Sequence, residues 1–157
     1  MGYFEIRVTI DRPLADVFAV YTDTRNWQWS SVFREVSWVK GTPWVEESRM
    51  RLITAGPITS TVDQVLTHFE PSREVAYISH FAGITLETRV SFRPSGDRAT
   101  DIHGRMEFVG TLSRMAGYAV GPAMERSTRQ FFDDLKAECE RTESGSTPRA
   151  VGQSSQP

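Results

Sequence analysis

The chain opens on a two-residue alternation. In "YFEIRVTI" the side chains of Phe4, Ile6, Val8 and Ile10 share one face, while Glu5 and Arg7 take the other. That pattern predicts a strand with one buried side. At "DRPLADVFAVYTD" the period lengthens, and Leu14, Val17, Phe18 and Tyr21 recur at helical spacing behind Pro13. Proline at a first helical turn costs no hydrogen bond, so a helix of about nine residues is expected, ending at Asp23 and Thr24. The polar stretch "TDTRNWQWSS" then holds Trp27 and Trp29 two positions apart and predicts a second short helix or tight turn.

From Val32 the signals are all extended: "VFREVSWVK", "PWVEESRMRLIT", "PITSTVDQVLTHF", "REVAYISHF", "ITLETRVSFR" and "ATDIHGRMEFV". The breaks between them carry turn chemistry, as at Gly41-Thr42-Pro43, Gly56-Pro57, Pro71-Ser72, Ala82-Gly83 and Pro94-Ser95-Gly96-Asp97. Strands joined by short turns form an antiparallel meander. After Gly110 the period is helical again, with a break expected at Gly121-Pro122. Met124, Thr128, Phe131, Leu135 and Cys139 continue at three- and four-residue steps, a helix of roughly 28 Å. The remainder, 142–157, is Ser-, Gly- and Pro-rich and reads as a disordered polar tail behind a single domain at 1–141.

Composition narrows the function. With 157 residues the chain suits one core, and its formal net charge of −2 provides no general pull toward nucleic acid. Cys139 is the only cysteine, which excludes an intramolecular disulfide. No signal peptide and no membrane-length apolar run is visible, so a cytoplasmic protein without stable membrane insertion is expected. His68, His80 and His103 lie on different predicted strands without partners at metal spacing, and no phosphate-binding glycine loop occurs. Neither a metal nor a cofactor is therefore expected.

The stretch "TIDRPLADVFAVYTDTRNWQWS", with Asp11-x-Pro13, Val17-Phe18, Asp23, Trp27 and Trp29, carries a family resemblance. So do "FEPSREVAY", the Gly96-Asp97 turn before "ATDIHGRMEF", and the final "LKAECE". Together these resemble the START-like, birch-allergen-like (SRPBCC) superfamily, and within it the bacterial polyketide cyclase/dehydrase-like proteins, over about residues 3 to 141. The resemblance implies an α+β helix-grip fold. A strongly curved antiparallel sheet of about seven strands would hold the long C-terminal helix, with two short helices after the first strand and an apolar ligand between sheet and helix. Strand parity agrees, because a one-sided sheet needs a cover and only the terminal helix is long enough.

Parity also proposes the lining. In the third strand Glu46, Ser48, Met50 and Leu52 share a face with Trp44, leaving Glu47, Arg49 and Arg51 to solvent. Glu46 is then either an inward ligand or acid–base group, or it is turned outward by a frayed or bulged strand end. The fifth strand offers Tyr77 and Ser79, the sixth Leu86 and Thr88, and the seventh Met106 with Gly104, whose missing side chain leaves room. Met124 and Phe131 complete the lining from the terminal helix. One tryptophan can seal the core while the other, Trp29, lies at the mouth; alternatively both plug the end of the core.

These residues favour binding of a small hydrophobic molecule such as a lipid, polyketide or isoprenoid. A polyketide cyclase or aromatase acting in the same cavity is the alternative. It needs an acid and a base near the reacting carbons, for which Glu46, Ser48 and Tyr77 are available, and no catalytic residue is assigned. A protein-interaction module is the third reading, and it would require an exposed apolar patch. Oligomeric state is not legible.

Overall fold

The computed structural model describes residues 2–57 and 59–153, with the side chains of Asn26 and of 142–153 outside that description. Seven strands, β1 (Tyr3–Ile10), β2 (Phe33–Lys40), β3 (Arg49–Thr54), β4 (Thr61–Glu70), β5 (Glu74–Phe81), β6 (Ile84–Pro94) and β7 (Thr100–Phe108), form one antiparallel sheet. Its order is β1-β7-β6-β5-β4-β3-β2. Consecutive strands β2 to β7 are therefore neighbours, joined by the expected turns. The helices are α1 (Leu14–Thr22), a 3-10 helix (Thr24–Trp29) and α2 (Thr111–Gln153). This is the helix-grip fold.

Topology explains what the short helices do. β1 and β2 follow one another in sequence but occupy opposite sheet edges, so α1 and the 3-10 helix must cross from one edge to the other. Curvature has a local cause in β2 and β4. Register shifts fall between Phe33 and Glu35, between Trp38 and Lys40, and between Leu66 and His68. Each extra residue bends its strand and tightens the twist.

The alternation in the sequence is kept. Phe4, Ile6 and Ile10 of β1 and Ile102, Met106 and Phe108 of β7 are buried, as are Val90 and Phe92 of β6. α2 lies on this face. Phe131, Phe132, Leu135 and Cys139 form its buried stripe, at the spacing of one helical side. The far end of that stripe is tied to the β1–α1 corner. Arg12 Nη1 donates to the Cys139 carbonyl at 2.9 Å, Asp11 N donates to Glu140 Oε2 at 2.9 Å, and Lys136 Nζ donates to the Thr9 carbonyl at 2.7 Å. The Asp11 amide and Lys136 hold the Glu140 carboxyl below its usual range. A depressed carboxylate stabilises the fold above its unfolded pKa and loses that contribution as pH falls through the folded value. Glu140→Gln should accordingly weaken the fold at neutral pH and matter progressively less in acid, as read by thermal unfolding across pH.

The structure departs from the expected course of α2 and of β3. α2 is one helix from Thr111, without a break at Gly121-Pro122. Pro122 sits on the exposed side, and the carbonyl that it cannot bond belongs to Tyr118, itself exposed. β3 begins at Arg49 rather than Pro43, because residues 41–48 are turns with Val45 N bonded to the Thr42 carbonyl and Ser48 N to the Val45 carbonyl. The outer strand faces are charged, but the first turns of α2 expose Leu112, Met115 and Tyr118 at 80, 64 and 78%. The exposed apolar patch that an interaction module would require is therefore present on the first turns of α2.

The α2 backbone is helical to Gln153, so the segment expected to be a disordered tail starts on the same helix; 154–157 lie outside the described residues. All three ties to the β1–α1 corner involve residues before Arg141. Truncation after Arg141 is expected to leave the melting temperature within about a degree, since surface changes away from packed features stay near zero. A drop of several degrees would place the domain boundary further on.

Candidate functional site

A cavity of about 590 Å³ lies between the inner face of the sheet and α2. The sheet presents Thr54, Gln64, Ser79 and Thr88 there, and the helix presents Val120, Ala123, Ser127 and Thr128. Larger side chains close the ends. Leu52, Leu86, Val90 and Met106 wall the sheet side, with Met124, Phe131 and Phe132 opposite. Tyr21 from α1, Trp27 from the 3-10 helix and Phe33 at the start of β2 complete the wall. The size and largely apolar lining are those of a small-molecule site.

Its mouth is marked by exposed lining residues. Ser31, Ala55 and Ser60 lie on the sheet side, and Ala123, Arg126, Ser127 and Gln130 on α2. Arg126 is the only charged side chain among the described lining residues.

The interior polar groups are neutral. Tyr21 Oη and Tyr77 Oη are 2.6 Å apart, and both residues are buried. Burial pushes both phenols well above the usual tyrosine range. At physiological pH they are hydrogen-bond donors and acceptors, not bases. Ser79 is buried, and its Oγ has no hydrogen-bond partner among the described residues. The register pairs Ser79 with Gln64 on β4 and Tyr77 with Thr88 on β6. Two adjacent rows on the same face therefore carry polar groups, roughly 7 Å apart along the strand.

Of the candidate lining, Tyr77, Ser79, Leu86, Thr88, Met106, Met124 and Phe131 surround the cavity. Trp29, Glu46, Ser48, Met50 and Gly104 do not. Glu46 is exposed, accepting from Phe69 N at 3.4 Å and lying 3.7 Å from His68 Nδ1. The turn that places it there includes Trp44 and Glu47 at positive φ, and such residues break strand parity. Ser48 is buried but donates to the Val45 carbonyl at 2.5 Å, serving that turn. Met50 is packed in the core. The space above Gly104 is filled, since a Cβ there would meet Met106 Cε at 3.4 Å and Phe132 Cε2 at 3.6 Å.

Trp27 belongs to the core, as expected, but Trp29 does not lie at the cavity mouth. Trp27 is buried and lines the cavity, whereas Trp29 is half-buried and packs behind it, 5.2 Å from the Phe131 ring. Trp27 Nε1 donates to the Tyr21 carbonyl at 2.9 Å, and Trp44 Nε1 donates to the Thr22 carbonyl at 2.7 Å. These are last-turn carbonyls of α1 that the helix cannot satisfy itself. The indoles thus cap α1 and hold Tyr21 against the cavity.

Sequence reasoning missed Gln64, Ser31 and Arg126. Gln64 was findable, because Val62, Gln64 and Leu66 share one parity on β4. Arg126 was not, since its relation to the mouth depends on where α2 crosses the sheet. Cys139 is buried away from the cavity, and burial pushes its thiol up to about 12, which makes it inert. Among the described residues no cluster of His, Cys, Asp or Glu suits a metal, and no helix is long and apolar enough to cross a membrane.

The sequence matches the family model described as polyketide cyclase/dehydrase and lipid transport over residues 1–140. No curated protein matches the chain in sequence. Among solved structures, the chain is similar to the Zhui aromatase/cyclase from Streptomyces sp. R1128 at a TM-score of 0.74 and 16% identity, covering 88% of this chain and 93% of that one. It is also similar to a START superfamily protein from Mycobacterium smegmatis (TM-score 0.71, 12% identity, 90% and 99% covered). The di-domain ARO/CYC StfQ from the steffimycin biosynthetic pathway matches at 0.73 and 16% identity, over 90% of this chain and 46% of that one. At these identities the likeness is one of fold.

Proposed function

The chain belongs to the polyketide cyclase/dehydrase and lipid transport family, and from that membership we propose that it binds a small, largely apolar molecule with one or two polar groups between the sheet and α2. Binding is the whole act in this reading. The observation that carries it is the lining itself: aromatic and aliphatic walls, neutral hydroxyl and amide groups inside, and a single cation at the mouth. A molecule that fills such a space gains by removing apolar surface from water, and the few polar groups set its orientation.

The cyclase reading ranks second. Its support is the likeness in shape to the aromatase/cyclase structures and the hydroxyl pair at Tyr21 and Tyr77, which could hold a carbonyl by donation. It lacks a base. Glu46 lies outside the cavity, and the lining contains no carboxylate or histidine among the described residues.

Native mass spectrometry of the purified protein, followed by a thermal-shift screen of lipids, polyketides and isoprenoids, separates the readings. Retention of an apolar molecule and a concentration-dependent rise in melting temperature are expected, with the molecule recovered unchanged. Conversion of a poly-ketone mimic at a rate abolished by Tyr77→Phe would replace binding with catalysis.

A further inference from the structure

The deep part of the cavity holds hydroxyl protons that no acceptor among the described residues receives. Tyr21 and Tyr77 share one hydrogen bond, so one of their two hydroxyl protons has no acceptor within the pair. The Ser79 hydroxyl, buried in the next row of the same strand face, has no partner at all among the described residues. A buried donor left unmade costs more than a made bond returns, so an unpaired buried hydroxyl on the wall of the cavity calls for an explanation. The mouth has the opposite character. Arg126, exposed on α2, lines the rim and makes no ion pair among the described residues.

Resting on the ligand-binding reading, we propose that the cavity takes an anionic amphiphile oxygen-first. A neutral carbonyl or ether oxygen enters to accept from Ser79 and the Tyr21–Tyr77 pair, while the anionic group stays at the mouth beside Arg126. The opposite orientation is excluded by desolvation. A carboxylate driven to the inner end would meet only neutral hydroxyls and amide, with no cation to offset the loss of water. A plain hydrocarbon tail is also a poor match, because it would give the Ser79 hydroxyl no acceptor.

The proposal separates three probes of similar length: dodecanoate, 11-oxododecanoate and methyl 11-oxododecanoate. By isothermal titration the oxo acid should bind roughly three- to tenfold more tightly than dodecanoate, the worth of a net hydrogen bond or slightly more. Ser79→Ala should bring that ratio to within about twofold of one. The same variant should raise the melting temperature of the ligand-free protein, since it removes an unpaired buried hydroxyl. Arg126→Gln should weaken both acids about threefold or more and leave the methyl ester unchanged. Should Ser79→Ala fail to fold, Tyr77→Phe tests the same preference from the neighbouring row. Equal binding of dodecanoate and oxo acid by the unmodified protein, or equal loss of all three probes in Ser79→Ala, would overturn the orientation and leave cavity binding standing. Failure of every probe to bind would overturn both.

Discussion

Phe131→Ala is expected to destabilise the domain by roughly 3–5 kcal/mol, the range for truncating a buried phenylalanine. Phe131 is 7% exposed and stands where the helix, the 3-10 segment and the sheet edge converge. Its ring lies 5.2 Å from those of Trp27 and Trp29, 5.3 Å from Phe132 and 5.7 Å from Phe33. Such pairs add to the burial term, so the loss is not confined to one side chain's area. Arg129→Ala, on the exposed side of α2 beside Glu125, should stay within about 0.5 kcal/mol. Denaturant unfolding of both variants measures the difference. Comparable losses at the two positions would mean that the helix is not gripped through this stripe.

Trp27→Ala carries a similar expected cost, roughly 3–5 kcal/mol for the removed aromatic ring. A second effect adds to it. The Tyr21 carbonyl loses its indole donor, and the Tyr21 side chain loses the ring packed 5.9 Å away. Trp29→Ala removes a half-buried ring from the outside of the same cluster and should cost about 1–2 kcal/mol, the ordinary range for a partly buried site. Ligand-induced stabilisation should follow the same order, since Trp27 lines the cavity and Trp29 does not. Trp27→Phe keeps most of the packing and isolates the hydrogen bond, worth about 1 kcal/mol. If Trp29→Ala proves as damaging as Trp27→Ala in both measurements, the division of labour between the two indoles fails.

The placement of these two rings shows where sequence reasoning reaches its limit. Trp-x-Trp on a polar stretch correctly marked a junction that buries aromatic mass. Which ring faces inward was not readable, because a 3-10 turn of six residues has no long periodicity to fix a face. The inward direction was decided by a carbonyl at the end of α1 that one indole could reach.

Glu46 teaches the same lesson from the opposite side. Strand parity is reliable while the backbone stays extended, and Met50 and Leu52 are both buried as that parity requires. Two residues at positive φ, Trp44 and Glu47, end the extension just upstream. Carried back through that turn, Glu46 takes the outward side, the alternative that a bulged strand end allows, whereas Ser48 keeps the buried parity of Met50 and Leu52. The paired acids at Glu46-Glu47 interrupt the alternation and were the available warning.

By itself the sequence determined the element types, nearly all the strand limits, the buried faces of β1, β5, β6 and β7, and the helix that covers them. Those follow from periodicity, turn residues and the need to bury one side of each element, all of which act between near neighbours. Seven cavity residues were legible for the same reason. Tertiary structure alone decided which of the inward positions meet a partner and which meet open space. Gly104 was expected to leave room, yet Met106 and Phe132 fill it. Ser79, one of several inward polar positions, is left without a partner among the described residues. The meeting of Tyr21 with Tyr77, 56 positions apart, and of Arg126 with the rim depends on how α1 and α2 cross the sheet. That crossing is set by the summed packing of many side chains, and no local pattern in the chain records it.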